Sequence, residues 1–343
     1  MRLFIKVKKR MQEKTNFKKK FELKVKRFIR EEGLLVRNDR CLIAVSGGPD
    51  SICLLHLLSK WGKLENWELR VAYFNHRLRN AADREKDFVR IAAERLGIDF
   101  VFSESNCQEM QKIEKLSLEE VARRERYRFL QEQAAIFSCA KIATAHHLDD
   151  QVETFFVNVI KGSGLSGLSG MQPKNGALVR PLLTVTKQEI LNYLQLQNIH
   201  YCLDETNDSH HILRNRVRHR LIPFLKKEFQ WNLFKSLPRM MGVLSSENLF
   251  LKAIEKEWGM RHIHWQKGGA SIRIGDFKNL DVALQRRIIK RVLDRFSPRR
   301  NYSGRHIEEN RKLFFNAVSN KKIILPEGIV AKRLKQSVEW ERK

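Results

Sequence analysis

The stretch CLIAVSGGPDSICLL, residues 41–55, places a polar, glycine-rich segment between two apolar runs. The first run has the apolar, partly β-branched character of a buried strand, and the second, which begins at Ile52, has apolar residues at helical spacing. The segment SGGPDS, residues 46–51, therefore joins the end of a strand to the start of a helix. Two adjacent glycines let the backbone of such a turn approach an anion closely.

The side chains of this turn match the needs of a polyphosphate. Ser51 and the free amides of the first helical turn would point at the anion, and the helix dipole adds attraction. Asp50 is a poor neighbour for bare phosphate, but it suits a Mg²⁺ ion that bridges phosphates. The alternative is a plain strand–turn–helix in which Asp50 or Ser51 caps the helix. The segment SGGPDS fits neither the Walker A pattern GxxxxGKS/T nor the dinucleotide pattern GxGxxG.

Short β-rich runs alternate with helical patterns through the first two hundred residues. The predicted strands are 41–46, 68–76, 99–105, 141–147 and 178–183, and the predicted helices between them are 51–62, 84–97, 116–137 and 150–162. This alternation predicts an α/β fold, a parallel sheet with helices on both faces. Ligands of such sheets bind beyond the carboxyl ends of the strands, and SGGPDS lies at one of these ends.

The strand pattern fades after Pro223, which suggests a change of domain. We predict four segments: a basic N-terminal extension and helix, 1–36; the α/β catalytic domain, 37–223; a helical linker region, 224–262; and a small mixed C-terminal domain, 263–343. Within the last segment we expect helices at 280–296 and 303–317 and a strand at 321–326. The core candidates of the helical region are Trp231, Leu233, Phe234, Leu237, Leu249 and Phe250.

Charge is the strongest signal of the composition, with a formal net value of +27. Residues 1–40 hold 15 Lys and Arg against 5 Asp and Glu, and a second basic concentration is RRIIKRVLDRFSPRR at 286–300. Basic surfaces of this size attract polyanions, most often nucleic acid. The alternatives are surface lysines that only aid solubility, or a face for an anionic membrane.

Composition also excludes several classes of protein. Hydrophobic residues make up 42% of the chain, which is typical of a folded globular protein. No apolar run approaches the roughly 18 residues of a membrane span, so none is predicted. Five dispersed cysteines without a CxxC pair argue against zinc knuckles and a disulfide framework, and they fit a reducing cytoplasm. They are Cys41, Cys53, Cys107, Cys139 and Cys202.

Further motifs follow the predicted strands in order. They are Phe74-Asn75-His76-Arg77-Leu78-Arg79, Ala122-Arg123 with Arg126-Tyr127, TAHHLDDQVET at 144–154, KGSGL at 161–165, RPLL at 180–183 and RNRVR at 214–218. SGGPDS resembles the pyrophosphate loop, or PP-loop, of the ATP pyrophosphatase superfamily. With the other motifs, the chain resembles the bacterial tRNA(Ile)-lysidine synthetases from about residue 18 to 225, and more loosely beyond. It looks like a short form, because longer members carry an additional terminal subdomain.

This resemblance implies a ligase reaction. ATP adenylates the C2 oxygen of the wobble cytidine in a CAU-anticodon tRNA(Ile), and the ε-amine of L-lysine then displaces AMP. The cofactors implied are ATP and Mg²⁺, the location is the cytoplasm without membrane association, and the choice between monomer and homodimer stays open. The basic N-terminal segment and the C-terminal domain would contact the tRNA.

The resemblance also implies roles for individual residues. The ATP site would comprise Ser46, Gly47, Gly48, Pro49, Asp50, Ser51, His76 and His146, with Asp50 also a Mg²⁺ ligand. Arg123, or Arg126 on the same helix, would stabilise negative charge on the leaving groups. Asp149, Asp150 and Glu153 would receive the lysine ammonium. Asp149 and Asp150 are also candidate catalytic residues, and their division between lysine and metal stays open. Arg214, Asn215 and Arg218 would contact the tRNA.

Simpler interpretations exist for these residues. Asp150 and Glu153 could form only a helix cap with its reciprocal acid. Arg214, Asn215 and Arg218 could be an ordinary solvated helix face. His146 and His147, as neighbours on a predicted strand, would point to opposite faces, which argues against a two-histidine metal site.

Two rival functions share some of these features. A PP-loop tRNA thiolase needs catalytic cysteines, paired or bound to an iron–sulfur cluster, and none of the five cysteines lies beside a matching motif. A non-catalytic RNA-binding protein with a relic nucleotide fold would have lost the acids of the site. Asp50, Asp149 and Asp150 are present, so the enzyme is the favoured prediction.

Overall fold

The structure, a computed structural model, describes residues 2–76, 82–114, 117–202, 213–229, 232–297 and 302–342. The chain divides into two compact units, residues 1–242 and 243–343. Three features of the sequence analysis lie outside the described residues: Arg77 to Arg79, Trp231, and Arg299 with Arg300.

The first unit alternates helices and strands as expected. Its strands are β1 (Arg40–Ala44), β2 (Glu68–Asn75), β3 (Asp99–Glu104), β4 (Lys141–Ala143), β5 (Lys174–Asn175) and β6 (Leu178–Val179). Its helices begin with α1 (Arg2–Glu31), α2 (Pro49–Glu65), α3 (Ala82–Arg95), α4 (Cys107–Glu114) and α5 (Leu118–Ile136). They continue with α6 (Leu148–Ile160), α7 (Leu165–Leu168), α8 (Lys187–Leu196), α9 (Leu213–Arg216), a π-helical turn (Val217–Leu221) and α10 (Ile222–Phe229).

The strands of the first unit form one sheet in the order β3-β2-β1-β4-β6-β5. The pairs from β3 to β6 are parallel, and only the short β5 runs antiparallel to β6. The prediction of an α/β fold with a parallel sheet is therefore confirmed. The chain moves to one side of β1 for β2 and β3 and to the other side for β4, so the strand order reverses between β1 and β4. Ligands of open α/β sheets bind at such a reversal.

Side chains of β1 alternate between the two faces of the sheet, and both faces are covered. Cys41 and Ile43 pack into the cluster that includes Leu54 and Leu58 of α2. Leu42 between them packs into a second cluster with Phe129 of α5. All three β1 side chains are fully buried, which is why this strand has no polar position in its centre.

Helix α1 joins this core through its C-terminal half. Phe21, Val25 and Ile29 recur every four residues, so they lie on one face of the helix, and each is at most 3% exposed. Lys19 and Lys20 are exposed. The basic helix thus anchors itself by an apolar stripe and leaves these lysines in solvent.

Two predicted strands are shorter in the structure than in the sequence analysis. β4 ends at Ala143, and the Thr144 amide donates to the Val179 carbonyl at 3.0 Å as the chain leaves the sheet. The chain then turns, and His147 becomes the N-cap of α6. The premise that His146 and His147 occupy opposite faces of a strand is therefore wrong. β6 likewise ends at Val179, because the Arg180 amide bonds back to the Pro173 carbonyl.

The second unit combines helices with an antiparallel sheet. Helix α11 (Leu233–His262) begins in the first unit and continues into the second from Val243. The second unit also contains α12 (Ile274–Lys278), α13 (Val282–Phe296) and α14 (Gly304–Phe315). Its strands are β7 (Ile263–Gln266), β8 (Gly269–Arg273), β9 (Lys322–Ile324), β10 (Ile329–Arg333) and β11 (Ser337–Arg342), in the order β7-β8-β11-β10-β9. The predicted helices at 280–296 and 303–317 correspond to α13 and α14, and the predicted late strand corresponds to β9. None of the helices in the described ranges has the length and apolar character needed to cross a bilayer.

The core candidates on α11 divide into two groups. Leu233 and Leu237 are fully buried, and Phe234 packs against the same cluster. Leu249 and Phe250 are 55% and 66% exposed, so the prediction that they belong to the core is wrong. Asn248 takes the inward position at this level of the helix, where it is 3% exposed and accepts a hydrogen bond from Arg287.

Candidate active site

The loop after β1 has the geometry of an anion cradle. Gly48 is the N-cap of α2 and Pro49 occupies the first helical turn, so the alternative in which Asp50 or Ser51 caps the helix is wrong. Gly47 has a φ of +87°, a conformation that favours glycine. Ser51 Oγ accepts from the Ser46 amide at 3.1 Å and donates to the Gly48 carbonyl at 3.0 Å. The loop is thereby pre-shaped, with the positive end of the α2 dipole at its centre.

Asp50, on the first turn of α2, forms an ion pair that the sequence analysis did not foresee. Both of its carboxylate oxygens accept from Lys187 Nζ, at 2.7 and 2.8 Å. Although burial alone would raise the pKa of the Asp50 carboxyl, His147 and Lys187 hold it below its ordinary value. The Lys187 backbone amide in turn donates to Asp149 Oδ2 at 2.7 Å. Lys187 therefore connects the phosphate loop to the acids that follow β4.

His147 is buried between three carboxylates. Its Nε2 atom lies 3.7 Å from Asp50 Oδ1 and 3.6 Å from Asp150 Oδ2, and its Nδ1 atom lies 3.6 Å from Asp149 Oδ2. Burial alone would lower the pKa of His147, but the neighbouring Asp149, Asp50 and Asp150 raise it to about 10. His147 therefore carries a proton at neutral pH, as a fixed cation beneath the acids.

This proton gives the stability of the fold a defined pH dependence. Because the folded-state pKa of about 10 lies above the ordinary 6.5, the contribution of His147 is complete below pH 6.5 and declines as the pH rises towards 10. We expect the difference in unfolding free energy between wild type and His147→Gln to shrink over that window. Denaturant titrations from about pH 6 to about pH 10 would measure it, with the exposed His200→Gln as control. A difference that stayed constant with pH would contradict this protonation state.

Glu153 joins two arginines of the RNRVR motif to α6. Its side chain is 3% exposed, and its two oxygens accept from Arg214 Nε at 2.8 Å and from Arg218 Nε at 2.5 Å. Arg214 also donates to Asp150 Oδ1 at 2.8 Å. The structure therefore brings Arg214, Arg218, Asp150 and Glu153 together, while Asn215 lies beside them on α9. Arg214 and Arg218 do not form the solvated helix face of the simpler interpretation.

These residues form one contiguous network of ion pairs, which we term the charge cluster. Its carboxylates are Asp50, Asp149, Asp150 and Glu153, and its cations are His147, Lys187, Arg214 and Arg218. Four negative and four positive charges balance when His147 is protonated. Buried or half-buried charges are stable only when they are paired in this way.

A cavity of about 410 Å³ opens beside the charge cluster, at the carboxyl ends of β1, β2 and β4. This volume is ordinary for a small-molecule site. The phosphate loop supplies Ser46, Gly48, Asp50 and Ser51, the end of β2 supplies Tyr73 to His76, and the segment after β4 supplies Thr144 to His146 and Asp150. The motifs from three separate strand ends thus line one cavity.

The two histidines predicted for the ATP site both line this cavity. His146 Nδ1 lies 3.0 Å from Thr144 Oγ1, and burial, with the nearby Arg180, Arg126 and Arg214, lowers its pKa to about 4. His146 is therefore neutral at pH 7 and can exchange hydrogen bonds without adding charge. The ring of His76 packs edge-on against Phe74, with centroids 4.8 Å apart.

The two arginines considered for leaving-group stabilisation are placed differently. Arg126 lines the cavity, and burial, together with the positive charges of Arg123 and Arg214, lowers its pKa. A desolvated cation among other cations is a favourable partner for an incoming anion. Arg123 is exposed, with its guanidinium 5.1 Å from the Tyr127 ring centroid.

Whether the site suits Mg²⁺ depends on how its acids are arranged. Within the described ranges, no group of three or more His, Cys, Asp or Glu side chains is arranged to hold a metal ion. Mg²⁺ in phosphate-transfer sites needs only one or two carboxylates, because waters and substrate phosphates complete its shell. Asp50 fits that role as a single ligand, provided that Lys187 gives up its place on the carboxylate.

Cysteine chemistry is not favoured in the described part of the chain. All five cysteines are free, and Cys41, Cys53 and Cys107 are buried. Burial raises the pKa of Cys41, Cys53 and Cys107, and of the half-buried Cys139 and Cys202. A raised pKa opposes the thiolate that sulfur transfer or metal ligation needs.

Comparison with known families adds to this geometry. A family model described as a PP-loop domain matches residues 17–225. The tRNA(Ile)-lysidine synthase of Clostridioides difficile is 33% identical over 320 residues, covering 92% of this chain and 69% of the relative. That of Chlorobaculum tepidum is 35% identical over 275 residues, covering 80% of this chain and 83% of the relative. The bifunctional protein TilS/HprT of Listeria monocytogenes is 36% identical over 280 residues, which is 42% of its length.

Among solved structures, the U34-tRNA thiolase NcsA from Methanococcus maripaludis superposes with a TM-score of 0.57. The match covers 67% of this chain and 80% of that chain at 22% sequence identity. At this identity the likeness shows a shared fold.

Proposed function

Because the chain belongs to the PP-loop family and, within it, to the tRNA(Ile)-lysidine synthases, we propose that it ligates lysine to the wobble cytidine of a CAU-anticodon tRNA(Ile). ATP adenylates the C2 oxygen, and the ε-amine of L-lysine then displaces AMP, so that the tRNA reads AUA instead of AUG. The observation that carries the proposal is the charge cluster, which joins the phosphate loop to the acids after β4 at one cavity.

The ATP molecule is divided between the loop and the cavity. Its pyrophosphate lies against the amides and hydroxyls of residues 46–51, which are pre-shaped by the Ser51 hydrogen bonds. Its adenosine lies in the cavity, where His146 is neutral and His76 lines the wall. When bound, Mg²⁺ neutralises charge on the phosphates, with Asp50 as its protein ligand.

Arg126 stabilises the negative charge that develops near the α-phosphate. It lines the cavity and lacks full hydration, whereas Arg123 is exposed over Tyr127. An immobilised, partly desolvated cation at a developing charge lowers the barrier more than one in water. The prediction for Arg123 stays a prediction, with Arg126 the better placed of the two.

Asp149 is the most exposed of the three acids, and for that reason the first candidate to receive the lysine ammonium. Its side chain is 27% exposed, against 14% for Asp150 and 3% for Glu153. Both Glu153 oxygens are held by arginines, and Asp150 accepts from Arg214 and from the His147 amide. A new ammonium group therefore needs to break fewer ion pairs at Asp149.

The basic face of α1 is proposed to hold the tRNA backbone. Neutralising Lys18, Lys19 and Lys20 to glutamine is expected to weaken binding to every tRNA alike and to reduce the slope of log affinity against log salt by about one per lost contact. Asn215→Ala is expected to reduce modification with less effect on general binding, because backbone contacts carry no sequence information. Filter binding over a salt series with tRNA(Ile) and a non-cognate tRNA measures both. If the lysine variants lost discrimination while Asn215→Ala kept it, the roles would be reversed.

The reaction is tested by incubating the protein with ATP, Mg²⁺, labelled lysine and total tRNA. We expect label in tRNA(Ile), together with AMP and pyrophosphate and without ADP. Incorporation of sulfur from a thiol donor would identify the thiolase alternative, and tRNA binding without nucleotide turnover would identify a relic RNA-binding fold. The homodimer and the cytoplasmic location also stay predictions. Light scattering, which measures the mass of the particle in solution, would test the homodimer.

A further inference from the structure

We propose that Lys187 is a phosphate-contacting residue of this enzyme. Its ammonium group rests on Asp50 in the structure, and it contacts oxygens of the β- and γ-phosphates when ATP is bound. This inference rests on the ATP-dependent function proposed above and names a residue that its motifs do not include.

The backbone of Lys187 is fixed at the start of α8. Thr186 caps the helix by accepting from the Glu189 amide at 3.2 Å, and Glu189 Oε2 accepts from the Thr186 amide at 2.7 Å. The Lys187 amide is bound to Asp149 Oδ2, and Ile190 of the next turn is fully buried. Only the four-carbon side chain is therefore left to move.

The head of the side chain lies next to the place where phosphate must enter. Asp50 is two residues after Gly48, the N-cap of the phosphate loop, and Lys187 Nζ lies within 2.8 Å of both Asp50 oxygens. The Lys187 side chain is 35% exposed, so it can rotate without opening the core. An ammonium on a flexible stem suits a phosphate as a point charge with three donors.

The charges of the site favour such a transfer. ATP brings several negative charges to a loop whose own side chain, Asp50, is negative. His147 cannot follow the phosphate, because it is 6% exposed and held among three carboxylates. When Asp50 turns to a cation that accompanies the nucleotide, Lys187 loses its partner and the phosphates provide the nearest new one. Charge on the departing pyrophosphate is then met by a cation already in place.

The test measures binding, without tRNA or lysine, so that ligation plays no part in it. Calorimetry compares the non-hydrolysable α,β-methylene-ATP with AMP, at one Mg²⁺ concentration, for wild type, Lys187→Met and Lys187→Arg. We expect Lys187→Met to weaken the ATP analogue about 10- to 100-fold, as for a lost charge-assisted hydrogen bond, while AMP changes by less than about twofold. Lys187→Arg should recover part of the loss.

The matched control is Lys24→Met. Lys24 pairs with Glu189 at 2.9 Å on the same helix end and does not touch Asp50, so its loss should change neither ligand's affinity. Equal weakening of the analogue and AMP by Lys187→Met, or no weakening of either, would overturn the proposal and leave Lys187 as a clamp for Asp50. Lys187→Gln decides the same point if Lys187→Met does not fold. Failure of the wild type to join lysine to tRNA would refute the proposed reaction, but the ratio of the two affinities would still decide the role of Lys187.

Discussion

Replacing Asp50 with alanine is expected to reduce pyrophosphate release from ATP by at least about 100-fold while the fold stays intact. The charge of Asp50 balances Lys187 at 2.7 Å and supplies the protein ligand proposed for the metal. Removing it leaves metal and pyrophosphate without their fixed anion, and such charge stabilisation is worth several kcal/mol. Release is measured in the complete ligation mixture by a coupled pyrophosphate assay.

Asp87→Ala serves as the matched control for this experiment. Asp87 lies on α3, with an exposed side chain 3.5 Å from Arg90, and the variant should retain the wild-type rate. Circular dichroism should show the same helical content for both variants, because α2 is capped by Gly48 and does not depend on the Asp50 carboxylate. Near wild-type pyrophosphate release from Asp50→Ala would remove Asp50 from the active site.

Replacing Glu153 with glutamine is expected to lower the unfolding free energy by about 1–3 kcal/mol. The variant keeps the shape of the side chain but leaves Arg214 and Arg218 without the carboxylate that each contacts through Nε. The loss stays moderate because both arginines are about a third exposed and Arg214 keeps Asp150 at 2.8 Å, so water and the remaining carboxylate recover part of it. Urea denaturation, followed by helical circular dichroism, measures the loss.

The control for this loss is an exposed ion pair. Glu31 accepts from Arg27 at 2.7 Å on α1, with a side chain that is 51% exposed, so Glu31→Gln should cost less than about 1 kcal/mol. If Glu153→Gln were as stable as Glu31→Gln, the pairing of Glu153 with Arg214 and Arg218 would carry no stability. Glu153 would then remain open as a lysine ligand.

The phosphate loop and the α/β fold could be predicted because their signals are local. The strand, the turn and the start of the helix lie within the fifteen residues 41–55, and the structure reproduces them as β1, the loop and α2. The identity of the family likewise came from motifs that lie at strand ends. Each of these patterns can be read without knowing which distant residues meet.

The partners within the site could not be predicted for the opposite reason. Lys187 meets Asp50 across 137 residues of sequence, and Arg214 meets Glu153 across 61. Residues 186–189, TKQE, carry the signal of a capped helix start, but nothing in that signal shows which carboxylate the lysine reaches. The motif around Glu153 predicts that it binds lysine. It does not show that Arg214 and Arg218 pair with Glu153, because these arginines lie on later helical segments.

Apart from β9, the strands of the second unit were not predicted, through the same limit on local signals. In β11, buried Val338 and Trp340 alternate with the exposed Glu339 and Glu341. The period of two is present, but the strand is six residues long and pairs with β8, more than sixty positions earlier. Short, charged strands acquire their identity from their neighbours in the sheet.

The balance of the charge cluster also constrains how this sequence can drift. A substitution that deletes one of its acids leaves a surplus cation, and one that deletes a cation leaves a surplus acid. Selection at these positions therefore acts on the sum of the charges as well as on each residue. Changes that survive should arrive in compensating pairs drawn from segments far apart in the gene, so that the eight codons vary together.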